Sequence, residues 1–396
     1  MKILSTITSY LPVIGGAQNH IHEVNKRLVE AGHDVRVFAF WDTFRTDWLR
    51  GVTLRAGGAA KDYVHEGVPV RIGGFSKKQK AAMLPWFLLY YGAMPLCARK
   101  LASMILPQLE ACCPDPDIVH CGRVGREPLA LASLLYARKK GVPFVFTPYH
   151  HPRWVGWRYR VYHSIYKAAD TVITLTHEEK KLLEGLGVHS GNITVTGMGP
   201  LVDTNASPED FRKRHGLGNH RIVLFVGQQY EYKGVANLLE AAGRILQENA
   251  DVMFLFVGPE TDFSSKVHEK FAHPRIRNLG KVSFEEKNEA YAACDIFCLP
   301  SEQESFGGVY LEAWSFKKPV IGVSIPATRE VISHGTDGLI AEKSAQSLEE
   351  NLLTLLSDPD LRRNFGENGF KKIEEKFNWK TLTRQTTEIY QDLLSK

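Results

Sequence analysis

The sequence has no run of the roughly 18 consecutive apolar residues that a membrane-spanning helix requires. The nearest candidate, Met83 to Cys97, is interrupted by Pro85 and Pro95. There is no G-x-G-x-x-G and no Walker A pattern, which argues against dehydrogenase and P-loop readings, and no H-E-x-x-H. His20 and His22 project from different faces of a helix and make a poor metal pair. Cysteine is scarce. Cys97, Cys112, Cys113, Cys121, Cys294 and Cys298 form no C-x-x-C pair, and six in 396 residues fit reduced thiols rather than a disulfide framework. Strong charge of one sign is also missing. The 49 Lys and Arg against 44 Asp and Glu leave +5, which suits anionic small molecules or an anionic membrane surface. Nucleic-acid binders cluster their charge more strongly, so no nucleic-acid partner is expected. Met1-Lys2-Ile3-Leu4 gives way quickly to polar residues and reads as a buried first strand rather than a signal peptide, so a cytoplasmic location is expected.

What is present is ordinary for a folded protein, 44% hydrophobic and 23% charged, and long enough for two domains. Short β-rich runs alternate with helical patterns. Strands are expected at Lys2–Ile7, Asp34–Phe40, Asp117–His120, Pro143–Phe146, Thr171–Leu175 and Ile193–Thr196. Helical stretches between them include His20–Ala31, Leu129–Lys140, Gly156–Ala169 and Glu178–Leu186. A segment rich in Gly, Pro, Asn and Asp follows, from Gly197 to His220, and then the pattern restarts. Strands are expected at Arg221–Val226, Val252–Val257, Ile276–Leu279, Ile296–Leu299, Val320–Gly322 and Gly338–Ala341, with a helix at Val235–Asn249. Repeated β-α-β units imply an α/β fold of two doubly wound parallel sheets in tandem. The last segment carries Trp379, Leu382, Ile389 and Leu393 at helical spacing. Doubly wound sheets bind ligands at the carboxyl ends of their strands, so two such domains facing each other would share a deep cleft.

The strongest chemical signal is the run from Pro300 to Glu312. A strand ends there, and Gly307 and Gly308 open a helix whose first N–H groups could hold phosphate with help from the dipole. Glu304 before the turn and Glu312 within the helix could accept hydrogen bonds from sugar hydroxyls. The plainer alternative makes Glu304 a cap and Glu312 a solvated helical residue. Glu304-x7-Glu312, with Ser305-Phe306-Gly307 inside it, resembles the signature of the retaining glycosyltransferases of family 4, which have the GT-B fold. The likeness continues through Glu312-Ala313, Pro319-Val320-Ile321, Glu330-Val331-Ile332 and Asp337-Gly338-Leu339. It implies that Glu312 binds the nucleotide ribose and that Glu304 lies against the donor sugar.

Three further stretches are similar to the same family. Val226-Gly227-Gln228 followed by Lys233-Gly234 matches a loop whose two cations neutralise the donor diphosphate, with Lys233 in place but Gln228 where the family has arginine. Gly15-Gly16-Ala17-Gln18 resembles the glycine-rich loop that faces the diphosphate from the first domain. Asp117-Ile118-Val119-His120-Cys121-Gly122 matches the first histidine of a pair at His120, a candidate catalytic residue in contact with the sugar, and departs from the family at Gly122. His150 and His151, after the Pro143–Phe146 strand, are candidates to contribute on the acceptor side. The resemblance implies an acceptor-binding domain over residues 1–198, joined by a final helix over 378–396, and a nucleotide-sugar domain over 199–377. It implies a nucleotide-sugar donor as substrate, no other cofactor and no metal. Asp115-Pro-Asp117 precedes its strand and so lies at the wrong sheet edge for a metal site. Two stretches place cations beside aromatics, as a membrane interface requires: Lys77–Lys80 with Met83–Tyr91, and Arg153–Arg160. A lipid-linked acceptor and peripheral docking on the inner membrane face are therefore expected, with a buried helix as the alternative. Gln228 and Gly122 keep open a non-catalytic nucleotide-sugar-binding or scaffold protein on this fold. A nucleotide-sugar 2-epimerase is a second rival, disfavoured by the Glu304-x7-Glu312 pattern.

Overall fold

Two separate parallel sheets organise the chain, because short runs of β-branched and aromatic residues buried on both faces are each followed by a helix. The computed structural model describes residues 1–13, 15–41, 58–123, 127–151, 154–249 and 251–396. They fall into two compact units: Met1–Gly197 together with Trp379–Lys396, and Met198–Asn378.

The first unit contains strands β1 (Lys2–Ser9), β2 (Asp34–Trp41), β3 (Lys61–His65), β4 (Val68–Ile72), β5 (Ile118–Gly122), β6 (Phe144–Thr147), β7 (Thr171–Thr174) and β8 (Ile193–Val195). They lie in the order β3-β4-β2-β1-β5-β6-β7-β8, parallel except for the antiparallel β3–β4 hairpin. That hairpin is absent from the sequence expectations. Edge strand β3, Lys-Asp-Tyr-Val-His, buries no residue fully and carries no apolar run. The second unit holds β9 (Arg221–Val226), β10 (Val252–Val257), β11 (Ile276–Gly280), β12 (Ile296–Leu299), β13 (Val320–Val323) and β14 (Gly338–Ala341). Their order is β11-β10-β9-β12-β13-β14, parallel throughout. β9 and β12 are adjacent although far apart in sequence, and their carboxyl ends open side by side. This is the switch point at which doubly wound sheets take ligands.

The helices depart from the expectations in instructive ways. The first runs Gly16–Glu30 and so begins at the glycine pair rather than at His20. The stretch expected as one helix from Gly156 is a single 3₁₀ turn, Trp157–Tyr159, followed by a helix at Arg160–Ala168. The final helix, Trp379–Leu394, buries Leu382, Thr383, Thr386 and Tyr390. Ile389 and Leu393, expected on its inner face, are only half-buried. Tyr390 instead carries the contact, its hydroxyl 2.6 Å from Nδ1 of His120 on β5, while the Trp379 ring packs against His20 and under Arg27. None of the six cysteines is in a disulfide; Cys112 is half-buried and the others are buried.

Candidate active site

In the second unit the chemistry gathers at the ends of β9 and β12. After β9 the chain makes a 3₁₀ turn, Glu231–Lys233, and Gly234 then starts the Val235–Glu248 helix. Gly234 has φ +74°, and a Cβ there would lie 2.2 Å from the Pro300 carbonyl oxygen, so only glycine lets the β9 loop pass this close to the end of β12. The two loops are also laced by the Glu302 N–H, which donates to the Tyr232 carbonyl at 2.8 Å. This approach brings the Lys233 ammonium onto the Glu304 carboxylate in a direct ion pair. Both side chains are mostly withdrawn from solvent, at 17% and 13% exposure.

Gly307, at φ +89°, caps the Gly308–Ser315 helix without any side-chain hydrogen bond. Gly307 has no side chain to cap this helix start, which leaves its polarity available to a phosphate. Within the helix, Glu312 is buried and its Oε2 accepts from Lys287 Nζ at 2.9 Å. Lys287 also donates to the Leu201 carbonyl at 3.0 Å. Lys287 stands on the Phe284–Ala293 helix, 25 residues from Glu312. No motif marked it in the sequence, because the pair joins two helices that only the fold brings together. Gln228 is exposed, whereas its neighbour Gln229 is fully buried, tied to the Gly258 carbonyl and to Asn278 at 3.1 and 2.8 Å. Ser305 is half-buried. Phe306 is buried, with its ring 5.5 Å from that of Phe377.

The first unit corrects the histidine expectations. His120 is 3% exposed, with Nδ1 engaged by Tyr390 and Nε2 2.8 Å from the Thr147 hydroxyl. Burial pushes its pKa down to about 3, so the ring is neutral and both nitrogens are used within the domain. It clamps the final helix to β5 and has no nitrogen left for a sugar. Gly122 is explained by the same packing: a Cβ there would lie 2.9 Å from Ile21 Cγ1, so a second histidine has no room. His150 differs. It is buried, its Nδ1 lies 3.3 Å from the Tyr166 hydroxyl and 3.4 Å from Arg123, and its Nε2 has no partner among the described residues. Burial, with the Arg123 charge adding to it, lowers its pKa to about 3. Arg123 is itself buried, with its guanidinium 4.0 and 3.9 Å from the Trp154 and Tyr162 ring centres. Gly15 and Gly16 lead into the first helix at the carboxyl end of β1, with Gly15 extended at its cap. Asp117, the second member of the DxD, accepts from the Lys2 N–H at 2.7 Å at the opposite end of that sheet.

Two doubly wound domains with an anion-ready helix start and paired carboxylates at a strand exit define the GT-B class of fold. Residues 207–372 match the family described as glycosyl transferases group 1, and residues 15–199 match the glycosyl transferase 4-like domain. The chain belongs to the group 1 glycosyltransferases. It is 25% identical over 422 aligned positions to an MMP alpha-(1->4)-mannosyltransferase of Mycolicibacterium hassiacum, covering 96% of each chain. It is 30% identical to an uncharacterized glycosyltransferase of Methanocaldococcus jannaschii over 44% of this chain, a match that spans about half (49%) of that relative's length. The fold is shared with Anabaena HepE, solved in complex with UDP-glucose, at a TM-score of 0.75 and 19% identity over 99% of this chain and 100% of that one.

Proposed function

We propose that the protein transfers a sugar from a nucleoside-diphosphate sugar to an acceptor with retention of configuration, and that the second unit holds the donor. The observation that carries this reading is the pair of lysine–carboxylate contacts around an uncapped helix start, at the switch point of a parallel sheet. Glu312 accepts the ribose hydroxyls, with Lys287 holding its carboxylate in place. The diphosphate sits at the Gly307–Gly308 helix start. Lys233 leaves Glu304 to meet the charge that develops as the diphosphate departs, an electrostatic stabilisation in a largely dry site. Glu304 is then free to accept from the donor sugar; no covalent role is assigned to it. The cation and helix dipole take over the work of a metal, so catalysis proceeds without one. A non-catalytic sugar-nucleotide binder is the second reading, favoured by Gln228 at the arginine position.

A thermal-shift screen against UDP, GDP, ADP and dTDP, followed by donor turnover in excess EDTA, tests this. A ligand bound only by the native state raises its apparent stability. UDP is tried first because HepE was solved with UDP-glucose. One nucleotide is expected to raise Tm, and turnover of its sugar to persist in EDTA. Stabilisation without turnover would favour the binder. Loss in EDTA restored by magnesium or manganese would overturn the metal-independent mechanism.

For the acceptor, we infer that the first unit docks on an anionic membrane. No helix among the described residues is long and apolar enough to cross one. The Lys77–Leu88 helix buries only Met83 and Phe87 and turns Leu84 and Leu88 outward, the latter 69% exposed. Leu89 (60%), Tyr91, Leu96, Val155 and Trp157 (52%) are exposed with it. The two basic–aromatic stretches converge: the Tyr91 and Trp157 rings lie 6.1 Å apart, with Arg158 close over both. Arg153 lies outside the described residues. Each cation near an anionic surface contributes about 1 kcal/mol, so Lys77→Ala/Lys78→Ala should weaken binding to anionic vesicles about tenfold or more. Co-sedimentation with anionic and neutral vesicles at low and high salt reads this out. Equal binding to both, or none to either, would leave a soluble acceptor.

A further inference from the structure

His22 stands on the Gly16–Glu30 helix, and the fold supplies it with partners that its neighbour His20 could not provide. The β3–β4 hairpin folds back so that His65, the last residue of β3, brings its ring 4.9 Å from that of His22. Glu66, in the hairpin turn, places Oε2 3.6 Å from His22 Nε2. One ligand atom from each of His22, His65 and Glu66 lies within 4.8 Å of the others. His22 is 2% exposed, and its Nε2 has no hydrogen-bond partner among the described residues. Its other nitrogen, Nδ1, is 2.8 Å from the buried Tyr10 hydroxyl. Tyr10 is in turn approached by Asn25, which bonds Ser5 at 3.0 Å. A hydrogen bond at Nδ1 is the outer-shell arrangement that fixes a metal-binding imidazole with Nε2 as the ligand. Burial also lowers the His22 pKa, which keeps the ring in the neutral form a metal requires.

We propose that His22, His65 and Glu66 form a binding site for a divalent transition-metal ion of the zinc type, which clips the β3–β4 hairpin to the first helix. Two imidazoles and one carboxylate are a common zinc ligand set, with a water as fourth ligand. Bond lengths of about 2.0–2.1 Å put tetrahedral ligands about 3.3 Å apart. The group must therefore close slightly around the ion, and the parts that move are the half-buried His65 and the exposed Glu66, not the buried His22. Lys26 also pairs with Glu66. Lys26 sits on the same Oε2 that faces His22, so it competes for the carboxylate in the absence of metal and must shift to the other oxygen, or leave, when the ion binds. The site is distinct from the donor residues of the second unit, and catalysis does not pass through it.

The test uses the full chain purified without chelator. Its zinc content is measured, the metal is stripped, and zinc is titrated back while Tm is followed. About one zinc per chain is expected, with Tm rising by about 5 °C or more at saturation. Cobalt in place of zinc should give the visible absorption of a four-coordinate site. His65→Ala and Glu66→Gln, both at accessible positions, should each weaken zinc binding at least about tenfold. Lys26→Ala should bind zinc as well as or better than the parent, because it frees Glu66. If the cluster serves only the Lys26–Glu66 ion pair, Lys26→Ala and Glu66→Gln will lower Tm alike with or without metal. That result, an unmoved Tm on titration, or zinc binding indifferent to His65→Ala would each overturn the site.

Discussion

Replacing Glu312 by alanine is expected to weaken nucleotide binding by about 1.5–3 kcal/mol, the usual loss for hydrogen bonds to a charged group, or roughly 10- to 150-fold in Kd. Two effects add. The ribose loses its acceptor, and Lys287, mostly buried at 18% exposure, loses the carboxylate that neutralises it. An uncompensated cation near the diphosphate works in the opposite direction, since it can attract the ligand's phosphates. Comparing nucleoside with nucleoside diphosphate separates the two: the nucleoside should lose more. Calorimetry on the parent and variant with the stabilising nucleotide decides it, and an unchanged affinity would remove Glu312 from the ribose site. Glu312→Gln keeps an acceptor oxygen and should fall between them.

Lys233→Ala should lower kcat by at least about tenfold, about 1.4 kcal/mol of barrier, with a smaller effect on donor KM. Its ammonium is committed to Glu304 before the donor arrives, so part of its attraction to the ground-state diphosphate is spent in breaking that pair. Its advantage grows as charge accumulates on the leaving group, and interactions stronger in the transition state than in the ground state raise kcat. With glutamine at position 228, fewer cations share that load. Steady-state kinetics on Lys233→Ala, with Lys233→Arg as a charge-preserving control, provides the measurement. A variant with the parent's kcat would show that another cation carries the role.

The central strands were legible because they are buried on both faces and therefore read as unbroken apolar runs; Arg221–Val226 and Val252–Val257 are found with the bounds read from sequence. The β3–β4 hairpin was not, since an exposed edge strand carries no such signal. At the candidate site, Glu304 and Glu312 were singled out by their place at a strand exit, and their roles, like that of Lys233, came from the likeness to the family's motifs. Lys287 was invisible because its role arises from one helix packing beside another. The histidines mark the limit of motif reasoning. His120 occupies a strand end that usually faces ligand, yet Tyr390 and Thr147 hold both of its nitrogens, and Tyr390 is 270 residues away. His22 shows the converse: a poor pair in sequence gains a partner through a turn that no local pattern announced.

The clamp between His120 and Tyr390 also bears on how the molecule is made. The first unit is discontinuous, built from both ends of the chain, and the second is an insertion between its parts. A ribosome delivers β5 long before it delivers Tyr390, so early in synthesis His120 and Thr147 wait without the hydroxyl that completes their network. The inserted unit is contiguous and can fold in the meantime. Its folding also shortens the effective loop that the last contact must close, a saving in chain entropy that grows only slowly with loop length. The final helix thus acts as a latch on a unit begun hundreds of residues earlier, and a chain cut short before Trp379 leaves His120 and the Gly16–Glu30 helix without the contacts that close it.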